Sequence, residues 1–212
     1  MRPARFFLLF LVLWTSAALA EPVSQLHPSN YVNDFAHVLS SQTVSDLNDT
    51  CLQIDQKAHA QIAVVTINST DGQPILDYGV ALFQAWGIGG KSNNRGVLIL
   101  YAIKDHNYWI HTGYGVEPIL PDGKVGGFGR EAVPLLKQGD YNGAIQLVTL
   151  RVANVIASDA GIQLTGAQAP PVPRTRETHI GISPLVLIVL LLFLGGPLAS
   201  IIWAITRASG YG

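Results

Sequence analysis

The sequence predicts an α/β fold: a three-layer α/β/α sandwich with a mixed sheet, followed by one transmembrane helix. Three observations carry this. Short runs rich in β-branched residues alternate with amphipathic stretches. The runs QIAVVTI and GVLILYAI are apolar almost throughout, as in strands covered on both faces. Near the C-terminus, PLVLIVLLLFLGGPLASIIWAI carries no charge over residues 184–205.

The elements follow in chain order. Residues 1–20 contain Arg2 and Arg5, a short apolar run and Ala18-Leu19-Ala20, the small-x-small pattern of a signal-peptidase site, and are read as a cleaved signal peptide. Residues 21–29 are a polar, proline-containing lead-in. Val44, Leu47, Cys51, Ile54 and Ala58 then recur at spacings of three and four, one face of a helix begun by Ser40 or Ser41. QIAVVTI (61–67) is a strand, ended by Asp71-Gly72. Pro74 suits the first turn of a helix carrying Ile75, Tyr78, Leu82, Phe83 and Trp86. GVLILYAI (96–103) is a second strand, and after the turn KDHN the strand YWIHT (108–112) returns antiparallel as a hairpin. Residues 124–137 are weakly helical, with Gly126, Gly127, Gly129 and Pro134 opposing helix formation. Asp140 caps a last helix whose apolar face includes Ala144, Leu147, Val148, Val155 and Ile156, and Gly161 ends it. Strand–helix–strand order predicts a right-handed crossover and helices on both faces of the sheet.

The folded domain covers 30–161, and a Pro/Thr-rich linker without hydrophobic periodicity covers 162–183. About 20 apolar residues at 1.5 Å each span the roughly 30 Å hydrocarbon core, so 184–205 reads as a membrane helix; such helices tolerate Gly195, Gly196 and Pro197. Residues 206–212 form a short cytoplasmic tail. A cleaved signal followed by one stop-transfer segment puts the domain on the extracytoplasmic side, anchored by its C-terminal helix.

Composition narrows the chemistry. The chain is 49% hydrophobic and 13% charged, with net charge −1, and acids outnumber bases twelve to eight between residues 30 and 160. That balance argues against nucleic-acid binding through phosphates. Cys51 has no second cysteine to pair with and reads as a small buried hydrophobe. The sequons at Asn48 and Asn68 matter only in a host that glycosylates. There is no G-x-S-x-G elbow and no His/Cys spacing suited to zinc.

GYGVEPILPDG (113–123) looks at first like a phosphate loop. Pro118 takes the place of the third glycine of a dinucleotide fingerprint, has no N–H to donate and disfavours the α region at Glu117. The segment is expected to stay extended at a strand carboxyl end, presenting Glu117 and Asp122. Asn93 and Asn94 in KSNNRG and Asn33 and Asp34 in YVNDF offer further oxygens for a hard cation, although each also serves as an ordinary turn residue.

Four stretches in this order, YVNDFAHVLS, WGIGG, NNRGVLILYAI and HTGYGVEPILPD, resemble the TPM domain family over roughly residues 30–160. The resemblance implies an α/β/α sandwich in an exported, membrane-tethered protein, periplasmic in the family's usual hosts. Some members are described as acid phosphatases, some bind calcium or magnesium near the acidic loops, and others act as assembly or maintenance factors for membrane complexes. Carried over, the acidic cluster falls on Asp34, Asn94, Glu117 and Asp122 as metal ligands. Many members place an aspartate where KSNNRG has asparagines, so one charge is missing and ion affinity should fall. Lys91, Arg95 or Lys124 could meet a phosphate, but none has an identifiable catalytic partner.

The expected function is therefore a membrane-anchored, non-catalytic module that binds another protein at the membrane or maintains a membrane complex. Calcium or magnesium would be weakly bound. The alternative is a metal-dependent acid phosphatase acting on phosphomonoesters with Glu117 and Asp122 as metal ligands. A third reading gives these two residues only the shaping of a turn.

Overall fold

The computed structural model describes residues 22–166. The predicted signal peptide, most of the linker, the membrane span and the tail lie outside the described residues. Among the described residues no helix is long and apolar enough to cross a membrane.

Four strands form one mixed sheet in the order β1 (Val32–Asp34), β2 (Gln61–Ile67), β3 (Gly96–Ala102) and β4 (Asn107–Thr112). The first three are parallel and β4 is antiparallel to β3. The helices are α1 (Ser41–Ala58), α2 (Ile75–Trp86), the single turn α3 (Gly90–Asn93), α4 (Asp122–Lys137) and α5 (Tyr141–Asp159). Both anticipated caps form: the Ser40 side chain accepts from the Thr43 N–H and the Asp140 side chain from the Gly143 N–H. β1 was not anticipated. Three residues, two of them polar, are too short to show a period, and the strand exists by pairing with Val64–Thr66.

Alternation along β2 builds two cores. Ile62 and Val64 face one side with Leu47, Cys51 and Ile54 of α1 and Leu147 and Val148 of α5. Ala63, Val65 and Ile67 face the other with Tyr78, Leu82 and Phe83 of α2. Each large apolar side chain removed from water contributes about 1.5–3 kcal/mol, so the two faces hold the sheet from both sides. This is the three-layer arrangement.

The two crossovers differ in hand. Steps β1→β2 and β2→β3 run in the same direction between parallel neighbours, yet α1 covers one face and α2 the other. The two crossovers therefore have opposite hands, and only one of them obeys the right-handed rule.

α4 is a full helix despite its glycines. Val125, Ala132 and Leu135 are buried, and Gly129 admits the Tyr108 ring where any Cβ would collide with it. Tertiary packing overrides low propensity here. The acidic loop also departs from expectation, for it coils rather than extends. Val116 and Leu120, four apart and both fully buried, are drawn into one turn in which the Leu120 N–H donates to the Val116 carbonyl at 2.9 Å. Pro118 falls early in that turn, where its missing N–H has little effect.

Candidate functional site

The glycines of the recognised stretches serve backbone packing. A Cβ on Gly113 would overlap the Asn94 carbonyl oxygen, and one on Gly115 the Asn93 carbonyl oxygen. Bare backbone lets the two loops interlock: the Gly113 N–H donates to the Gly96 carbonyl at 2.8 Å and the Gly115 N–H to the Asn94 carbonyl at 3.1 Å. Asn94 itself is left-handed, with φ 52°, a conformation asparagine tolerates better than most residues. Its side chain is exposed, as is that of Glu117. Glu117, Asn94 and Asp122 all lie toward the end of the sheet where β3 begins and β4 ends.

Asp34 lies at the other end. It pairs in register with Thr66, whereas β3 starts at Gly96 opposite Gln61. Five strand residues at about 3.3 Å each separate those levels by roughly 17 Å, so Asp34 cannot share an ion with Asn94 and Glu117. Its carboxylate instead accepts from the Val38 N–H at 3.2 Å and the Leu39 N–H at 2.8 Å, and from the Thr66 hydroxyl. The four-residue cluster carried over from the resemblance thus does not converge. No group of three His, Cys, Asp or Glu suited to a metal ion occurs among the described residues.

Two of the three basic residues considered for phosphate, Arg95 and Lys124, are engaged by the protein, and the Lys91 side chain lies outside what the structure describes. Arg95 pairs with Asp159 at 3.0 Å and reaches the Gly115 carbonyl at 3.4 Å. Lys124 donates to the Ile119 carbonyl at 2.9 Å.

What Asp122 does line is a groove of about 650 Å³ along β4, between the start of α2 and the first half of α4. Since the Gly113 N–H bonds to Gly96, the hydrogen-bonded pairs of the hairpin are 98/111, 100/109 and 102/107. The N–H and C=O groups of Tyr108, Ile110 and Thr112 therefore point to the free edge, which no described strand covers. Leu76, 45% exposed, forms one wall, and Arg130, exposed, forms the other. The Arg130 guanidinium rests over the bare backbone of Gly126 and Gly127. Trp109 also lines the groove, and its indole N–H is buried without a partner among the described residues. His111, edge-on to Phe83, is held below its ordinary pKa by burial, with the nearby Asp122 carboxylate opposing that shift. Sequence reasoning missed Arg130 and Trp109; the signal for them was the unpaired side of the last strand, visible once the hairpin register is known.

A model of the TPM domain matches residues 32–155. No curated protein matches the chain. Among solved structures, the N-terminal domain of a protein from P. gingivalis is similar at 24% identity and TM-score 0.64, over 69% of this chain and 98% of its own. The BA42 protein from the psychrophilic bacterium Bizionia argentinensis is similar at 16% identity and TM-score 0.50, over 62% of this chain and 94% of its own. At such identities the likeness shows the fold alone.

Proposed function

The chain belongs to the TPM domain family, and from that premise we propose that it is a non-catalytic binding module. In this reading it is anchored by its C-terminal helix with the domain on the extracytoplasmic, periplasmic side, and it engages another membrane-associated protein. The observation that carries the reading is the free edge of β4 at the floor of a groove. An extended segment of the partner would pair with the outward N–H and C=O groups of Tyr108, Ile110 and Thr112, as in β-strand addition. Apolar side chains on that segment would meet Leu76 and Val125, while Asp122 and Arg130 would set its orientation. A non-catalytic role is supported by the engagement of Arg95 and Lys124 with the protein's own groups. Calcium or magnesium binding, in this proposal, is weak and confined to the acidic loop. Glu117 and Asp122 supply two carboxylates there, and water completes the ligands.

The test is position-specific photo-crosslinking of the full chain in its own membrane, from Leu76 in the groove and from Gln42 on α1. A discrete adduct from Leu76, absent from Gln42 and abolished by Thr112→Pro, is the expected result. Proline at 112 removes an outward N–H without touching the β3–β4 ladder, so it tests edge pairing rather than folding. Equal adducts from both positions, or no effect of the proline, would discard the groove.

A further inference from the structure

At the carboxyl end of β3 lies a second concavity, a cleft of about 380 Å³ between the β3–β4 hairpin and the α4–α5 junction. It shares Asn107 and Tyr108 with the groove but none of its other lining residues, and it does not include the acidic loop. Tyr101 lines it and is 2% exposed, and its hydroxyl is buried without a hydrogen-bond partner among the described residues. A buried hydroxyl left unpaired costs about 1–3 kcal/mol, so its retention is a mark of something the packing alone does not satisfy. Burial, reinforced by Tyr108, raises its pKa, so the group stays a neutral donor near neutral pH.

The surroundings define what such a donor would meet. Tyr108 lies directly across the hairpin from Tyr101, with ring centroids 5.8 Å apart at a tilt of 32°. Tyr141 at the start of α5 and Leu136 on α4 complete apolar walls. Lys137 and His106 stand exposed at the mouth, and neither has an ion-pair partner among the described residues. The volume falls within the ordinary range for small-molecule sites, about 300–1,000 Å³. The position, beyond the carboxyl end of a parallel strand, is where α/β sheets ordinarily hold ligands.

We propose that this cleft binds a small anionic molecule with a flat apolar body. Its inner end carries a hydrogen-bond acceptor that meets the Tyr101 hydroxyl, its body lies against Tyr108 and Tyr141, and its outer carboxylate lies at Lys137. Ring-on-ring contact supplies shape selection, the buried hydroxyl supplies polarity, and the lysine supplies an attraction weakened by salt. The site uses the Tyr108 ring where β4-edge binding would use the Tyr108 backbone, and its test reads the Tyr101 hydroxyl, so either proposal can fail without the other.

The test uses the full chain in detergent micelles and the probe 3-(4-hydroxyphenyl)propanoate, read by saturation-transfer NMR, with 3-phenylpropanoate as the probe lacking the inner acceptor. Saturable binding of the phenolic probe is expected, weakened about tenfold in Tyr101→Phe, the loss expected for one buried hydrogen bond. The phenyl probe should bind wild type and Tyr101→Phe equally. Lys137→Gln should weaken both probes about threefold at low salt and less at high salt. Tyr101→Phe removes only an unpaired oxygen, so it should fold and melt no lower than wild type. Absence of saturable binding overturns the proposal. So does phenolic-probe binding unchanged in Tyr101→Phe, which would leave the hydroxyl as an orphan of core packing.

Discussion

The two ends of the sheet are built on different principles. Where β3 begins and β4 ends, backbone meets backbone: Gly113 and Gly115 lie against the carbonyls of Asn94 and Asn93, with almost no side chain between them. At the opposite end, side chains close the loops, with Asp34 holding Val38 and Leu39 and Asp105 holding Ser69 and Thr70. The recognisable glycines fall mostly at the first end, yet the unsatisfied hydroxyl of Tyr101 lies toward the second. A recognisable motif can therefore mark where the fold is tightest rather than where a ligand enters.

The contrast is broken most severely by adding one carbon. Gly115→Ala should destabilise the domain by about 3 kcal/mol, because the new Cβ would overlap the Asn93 carbonyl oxygen and backbone would have to shift to admit it. Urea denaturation would measure this, and a loss under 1 kcal/mol would mean the loops are not interlocked.

Asp34→Ala at the other end should cost less, about 2 kcal/mol, since it strands two half-buried N–H groups and the Thr66 hydroxyl without any backbone overlap. The variant also separates roles: calcium or magnesium association at the acidic loop should survive it, as measured by chemical-shift titration. Loss of ion binding in Asp34→Ala would restore the residue to a shared site.

The smallest effect concerns His111. Its folded pKa is depressed, so the folded state binds fewer protons than the unfolded one. Its contribution to stability is complete above the ordinary value of 6.5 and diminishes as pH falls toward the folded pKa. Asp122 opposes the depression, so Asp122→Asn should lower the His111 pKa further. Imidazole NMR titration would show it, and an upward shift would contradict the geometry.

Much of this fold was legible because its signals are local. The strand runs 61–67 and 96–103, the Ser40 and Asp140 caps and the Pro74 helix start follow from pattern and chemistry that span a few residues. α4 was underestimated because Gly129 looks like a helix breaker until the Tyr108 ring is placed over it. The site was less legible. Grouping Asp34 with Glu117 requires knowing which end of the sheet each loop occupies. The loop after β4 does follow a strand carboxyl end, but β4 runs opposite to β1, so that end is the far one. Tyr101 and Tyr108 read as ordinary strand aromatics until their register places them side by side at the cleft.

The opposite hands of the two crossovers have a topographic consequence. Chain leaving β1 turns over one face and chain leaving β2 over the other, so the two paths part above neighbouring strands without any reversal of strand order. Such a parting is what opens a crevice in doubly wound sheets. Here it is stitched shut: the Phe35 N–H donates to the Thr66 carbonyl at 3.0 Å, the Ala36 N–H to the Thr66 hydroxyl at 3.3 Å, and that hydroxyl to Asp34. Asp34 is thus the clasp on a doorway other folds leave open, and the two hollows described above lie instead beside the returning hairpin.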